Sequence, residues 1–168
     1  TESGLADVVL INASWGLGEN VVLGRVEPDQ YYVFETTLKT GHRPIIEKKM
    51  GSKLIKMIYT GSASHPTKNI PTPLADRAKF VLKNQDILKL AMWSMLVEEH
   101  YQKPMDMEWA LDGKTGTLYV VQARPETVQS KKNHNVLEEY ILEIPNPKSQ
   151  IPKVVARGMS VGSKIGSG

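Results

Sequence analysis

The tightest constraint lies late in the chain, where two alternating segments flank a turn. Met105–Leu111 alternates apolar and polar side chains, Asp112-Gly113-Lys114-Thr115-Gly116 supplies turn residues, and residues 117–123 alternate again. Successive strand side chains point to opposite faces, so the pattern predicts a β-hairpin with two distinct faces. Asp106 and Glu108 share one face, while Met105, Met107 and Trp109 share the other. On the second strand Val120, Gln122 and Arg124 fall together. A turn centred near residues 113–115 sets Asp106 opposite Gln122, and Glu108 opposite Val120.

Two readings fit that polar face. In one it is a solvated strand surface carrying an ordinary carboxylate–arginine ion pair, as many antiparallel sheets do. In the other it serves a nucleoside triphosphate. Carboxylate and amide oxygens are hard ligands for Mg²⁺, which commonly bridges protein carboxylates and substrate phosphates. A guanidinium such as Arg124 pairs with phosphate oxygens and offsets charge developing in phosphoryl transfer.

Upstream, Val8–Ala13 is an apolar run suited to a buried strand, and it leads into Trp15-Gly16-Leu17-Gly18. Residues 19–23 suit a single helical turn, and residues 31–36 are rich in β-formers. Further strands are expected at 45–50, before the Gly51-Ser52 turn, and at 54–59. Residues 60–73 hold Gly, Ser, Asn and three prolines and read as loop, and residues 77–82 as a short strand. Asn84 is placed to cap a long helix over 85–101, with Ile87, Leu88, Ala91, Met92, Met95 and Leu96 as its buried stripe. Residues 125–168 are polar, with prolines at 145, 147 and 152, and read as a connector with a short helix at 135–144. The fold class expected is mixed α/β (α+β), mainly antiparallel sheet with one long helix and a C-terminal linker.

Composition narrows the partners. A net charge of +3 on 168 residues gives no basic footprint for nucleic acid, and no apolar run approaches the roughly 20 residues of a membrane span. The polar first residues carry no secretory signal pattern, and the absence of cysteine removes disulfides and thiolate chemistry; both suit a cytoplasmic setting. Thr1 at the start and the Gly/Ser-rich residues 158–168 at the end suggest a piece of a longer chain.

Other candidates each carry an ordinary alternative. Gly16-Leu17-Gly18 lacks the third glycine of a dinucleotide fingerprint, so it is either a close approach to a ligand or a tight strand-to-helix turn. Lys48, Lys49 and Lys53 either attract phosphate or are ordinary surface lysines. Of the four histidines, His65 reads as a loop residue and His100 as a helix-end residue.

Several collinear motifs resemble one enzyme family. Asp106-Met107-Glu108-Trp109-Ala110 and Leu118-Tyr119-Val120-Val121-Gln122-Ala123-Arg124-Pro125-Glu126-Thr127-Val128 resemble the end of the ATP-grasp domain of phosphoenolpyruvate synthases. Pyruvate phosphate dikinases and rifampicin phosphotransferases share it more loosely. Ser14-Trp15-Gly16-Leu17-Gly18-Glu19, with Val21, Val22 and Gly24, is similar to the family's glycine-rich stretch. Lys48-Lys49-Met50-Gly51-Ser52-Lys53 is similar to its Met-Gly-Ser-Lys segment, and Thr1-Glu2-Ser3-Gly4 to the segment that opens this half of the domain.

The resemblance covers residues 1–130, and residues 154–168 resemble the start of a swivelling phosphohistidine domain. It implies an ATP-grasp subdomain over 1–130, then a linker and the start of that domain over 131–168. Glu108 and Gln122 would ligate Mg²⁺, Asp106 would support that site, Arg124 would contact the terminal phosphates, and Glu19 would reach the nucleotide. The implied reaction turns ATP, pyruvate and water into AMP, phosphoenolpyruvate and phosphate. It passes through a phosphohistidine outside this chain, so the chain alone would not turn over. The same ATP machinery could serve a dikinase, an antibiotic phosphotransferase or a non-catalytic nucleotide-binding module.

Overall fold

The computed structural model describes residues 7–126. The expected helix at 135–144, the linker, the start of the swivelling domain and the Thr1-Glu2-Ser3-Gly4 motif lie outside the described residues.

In chain order the elements are β1 (Val8–Ala13), α1 (Glu19–Val22), β2 (Asp29–Phe34), α2 (Glu35–Thr40), β3 (Ile45–Lys49), β4 (Ile55–Tyr59), β5 (Thr67–Pro71), α3 (Leu74–Arg77), α4 (Asn84–Tyr101), β6 (Met105–Leu111) and β7 (Leu118–Pro125). Three antiparallel sheets result, ordered β1-β2-β3, β4-β5 and β6-β7. The mixed α/β character with antiparallel sheets and one long helix is as expected from the sequence.

One core joins these parts. Ile11 and Ala13 from β1, Tyr31 and Val33 from β2, Ile87, Leu90 and Ala91 from α4, and Leu118 from β7 form a single buried cluster. Trp109 and Leu111 of β6 pack against it. Helix α4 therefore lies under both the three-stranded sheet and the hairpin, and the inward face of each sheet is its apolar one.

Five local expectations change. Leu90 joins Ile87 and Ala91 in the core, whereas Met92 and Leu96 are exposed at 48% and 62%. At about 100° per residue Met92 sits some 140° round the helix from Ile87, and Leu96 is one turn above it. Lys83, not Asn84, is the N-cap, and the Asn84 amide oxygen accepts a hydrogen bond from Lys48 Nζ at 2.9 Å.

Residues 67–71, expected as loop, form β5 against β4, with Pro71 at its end where a missing N–H costs no ladder bond. Residues 77–82 form no strand. The N–H groups of Val81 and Leu82 donate instead to the Asp29 carboxylate (2.8 Å) and the Tyr31 hydroxyl (3.2 Å). Helix α2 occupies residues 35–40, where β-formers suggested that β2 would run on to residue 36; it ends at Gly41 in the left-handed conformation.

Gly16 has a structural reason. It sits at φ +81° and bridges to Met57, and an added Cβ would lie 2.3 Å from the Met57 carbonyl oxygen. Leu17 N–H donates to that same oxygen at 2.9 Å. The glycine permits a close approach of two backbones, β1's exit and β4.

Candidate functional site

The hairpin forms as the alternation predicts, with a different register. Asp106 lies opposite Arg124 and Glu108 opposite Gln122, not opposite Gln122 and Val120 as a regular ladder from the turn implies. The ladder shifts between Glu108 and Trp109, so Trp109 pairs with Val120 and Val121 has no opposite number. This is a β-bulge, and it rephases the strand. By register Val120 falls on the Trp109 side, though it stays 44% exposed, while Gln122 and Arg124 join Glu108 and Asp106 on the outward side. Strict alternation on β7 would have put Val120, Gln122 and Arg124 together.

On β6 burial follows the same division, whereas on β7 Leu118 is buried and the residues after it are exposed. Met105, Met107, Trp109 and Leu111 are partly buried, and Asp106, Glu108 and Ala110 between them are exposed. Gln122 and Arg124 are exposed as well. The turn is held by Gly116 N–H to the Asp112 carbonyl (2.8 Å) and Asp112 N–H to the Thr117 carbonyl (2.9 Å). The Asp112 carboxylate accepts from Lys114 N–H and the Thr115 hydroxyl, and the Lys114 N–H, then Thr115, hold its pKa below the ordinary aspartate value. At the open end Glu126 N–H donates to the Pro104 carbonyl at 2.9 Å.

On the outward face Arg124 Nε stands 3.6 Å from Asp106 Oδ2, with both side chains more than half exposed. An exposed pair of this length contributes little to stability, so the guanidinium can turn to another anion at small cost. Directly opposite residues have Cβ atoms about 4.5–5.5 Å apart, so Glu108 and Gln122 can offer oxygens to one ion. Among the described residues no three His, Asp or Glu side chains gather as a protein metal cage. A set of one carboxylate and one amide oxygen fits Mg²⁺, which takes few protein ligands and completes its shell with phosphate and water.

The remaining candidates lie elsewhere. Glu19 is exposed at the start of α1, which packs on β4. Lys53 is neither a surface lysine nor placed to meet phosphate: it is fully buried and paired with Asp29. Lys48 lies over the Phe80 ring and bonds Asn84, and Lys49 lies over the Tyr32 ring and pairs with Glu47 at 3.6 Å. His42, His65 and His100 bond or stack only with near neighbours in the chain.

The family profile described as pyruvate phosphate dikinase, AMP/ATP-binding domain, matches residues 1–143. The chain belongs to this family. Its relatives include proteins named phosphoenolpyruvate synthase from Synechocystis sp. (48% identical), Helicobacter pylori (46%) and Escherichia coli K12 (43%). Each match takes in the whole of this chain and between 20% and 22% of the relative. The chain thus spans about a fifth of the length of the curated relatives it matches. Within the family, the part described here contributes a hairpin with a charged outward face over a shared helical core.

Proposed function

We propose that this chain is the ATP-binding part of a phosphoenolpyruvate synthase, which converts ATP, pyruvate and water to AMP, phosphoenolpyruvate and phosphate. The observation that carries the reading is the register of the hairpin, with Glu108 opposite Gln122 and Asp106 opposite Arg124 on one exposed face. The family and the names of the relatives support the reaction class.

In this reading Glu108 and Gln122 hold Mg²⁺ bound with the nucleotide. When bound, the metal would neutralise charge on the phosphate groups. Asp106 keeps the Arg124 guanidinium beside the metal pair, and Arg124 turns toward the terminal phosphates as ATP binds. Its fixed charge stabilises the negative charge spread over the transferring group. Glu19 reaches the nucleotide from the start of α1. The acceptor is a histidine outside this chain, on a swivelling domain of the same protein whose linker and start take up residues 131–168. The phosphohistidine stores the group until it meets pyruvate at a separate site. A cytoplasmic location belongs to the same proposal; among the described residues no helix is long and apolar enough to cross a membrane.

The test uses the full-length protein. Incubated with Mg-ATP and pyruvate without added phosphate, it should yield phosphoenolpyruvate, AMP and phosphate together in the phosphorus NMR spectrum. Product formation only after phosphate is added, with pyrophosphate released, identifies a dikinase instead. ATP binding with pyruvate unphosphorylated under both conditions leaves only the nucleotide-binding assignment standing.

A further inference from the structure

Strand β7 is anchored at one end. Leu118 is buried in the core cluster, and every residue after it on the strand is exposed. On β6 the residues Met105, Met107 and Trp109 are partly buried, yet their register partners Pro125, Ala123 and Val120 are not. β7 thus lacks cover on the side where β6 has it. Its composition does not suit that exposure. Tyr119, Val120 and Val121 are consecutive exposed hydrophobic residues, a run that a strand surface facing only water seldom carries.

The edge of the strand is open as well. Among the described residues β6 is the partner of β7, and no third strand continues the sheet. A two-stranded hairpin standing alone is marginal in water, and an unpaired edge is a template for another strand. No lysine guards β7, and its proline comes last, at Pro125. The bulge at Val121 interrupts the edge once, and the ladder from Gln122 to Pro125 is regular. The direction of the free groups follows from the hydrogen bonds. Glu126 N–H donates to the Pro104 carbonyl at 2.9 Å. Antiparallel pairs alternate between bonded and non-bonded, so Asp106–Arg124 and Glu108–Gln122 are bonded pairs and Met107–Ala123 is not. The Ala123 N–H and carbonyl therefore point away from β6, into the open edge.

We propose that an extended segment of the same polypeptide, from outside residues 1–168, pairs with the open edge of β7 and continues the sheet. The chain spans about a fifth of the length of its relatives, so a protein of their length has ample chain to supply it. The faces it extends set its chemistry. It alternates, with apolar side chains beside Val120 and Ala123 and polar ones beside Gln122 and Arg124. Main-chain bonds to Ala123 hold it, and its apolar side chains cover Val120. This goes beyond the proposed reaction and does not depend on it, since the edge is closed with or without nucleotide.

The test is amide hydrogen exchange at single-residue resolution on the full-length protein without nucleotide. Gln122 and Arg124, bonded to β6, are the internal references. The Ala123 amide should exchange about a hundredfold or more slower than an unpaired amide, on the scale of its two neighbours. An unprotected Ala123 overturns the pairing. The measurement is repeated on monomer separated by size exclusion. Protection kept in the monomer assigns the edge to the same polypeptide, and protection confined to an oligomer assigns it to a second copy and overturns the proposal. A photo-crosslinking residue at the Val121 position then captures the neighbouring peptide. Capture of a peptide from outside residues 1–168 is the expected result, and capture of one within them overturns it.

Discussion

Asp29 holds three parts of the chain at one buried point. Its carboxylate accepts from Lys53 Nζ, from Gly51 N–H at 2.9 Å, from Val81 N–H at 2.8 Å and from the Tyr31 hydroxyl at 3.2 Å. Lys53 Nζ also donates to the Gly51 carbonyl at 3.0 Å. Burial, with Asp29 alongside, pushes the Tyr31 phenol above its ordinary pKa, so it stays a neutral donor. Removing one partner of a buried pair leaves the other charge uncompensated, a loss of about 3–5 kcal/mol. Lys53→Met should therefore lower the unfolding free energy by about that amount in urea titrations, and a change below about 1 kcal/mol contradicts the assignment. Arg124 makes the opposite case. It is exposed and loosely paired, so Arg124→Ala should leave the urea midpoint unchanged. Phosphohistidine formation from Mg-ATP should fall about 10³-fold in rapid-quench assays, the scale of a lost phosphate-facing arginine.

At the scale of elements, the contact between α2 and α4 carries a pH dependence. Burial, then the neighbouring Glu98 charge, holds the Glu35 carboxyl above the ordinary glutamate pKa. A carboxyl raised in the folded state favours folding while protonated. That contribution is present below the ordinary value, about 4.3, and is lost as the pH rises through the raised one. Glu35→Gln should thus raise the urea midpoint at pH 7 and make no difference below about pH 4; a lower midpoint at pH 7 contradicts this. Gly16→Ala, forced to φ +81° against the Met57 carbonyl, should cost about 2 kcal/mol or more in the same assay, and a neutral result contradicts the close approach.

These elements also mark what the sequence could reveal. The hairpin was legible because strict alternation around a Gly-containing turn admits few other folds. Its register was not, since a bulge at Val121 leaves no mark in a run of β-formers. Helix α2 was hidden by Thr36 and Thr37, although Glu35, Lys39 and Gly41 supply helix-start and helix-end signals. The burial of Lys53 was hidden because its partner Asp29 lies 24 residues away, and lysine is seldom buried unless paired.

Across the whole described molecule, α4 organises function by exclusion. It takes the apolar faces of the three-stranded sheet and the hairpin, which leaves the polar face of each turned away from it. In the proposed function ATP and its metal sit on the outward face of the hairpin. Methyl-labelled full-length protein tests it most directly, with Mn²⁺–ATP in place of Mg²⁺–ATP as a paramagnetic probe. Selective broadening is expected for the Val120, Val121 and Ala123 methyl signals on β7, with the buried Leu90 and Ala91 signals of α4 broadened less. Sharp β7 signals beside broadened ones elsewhere in the chain would contradict it.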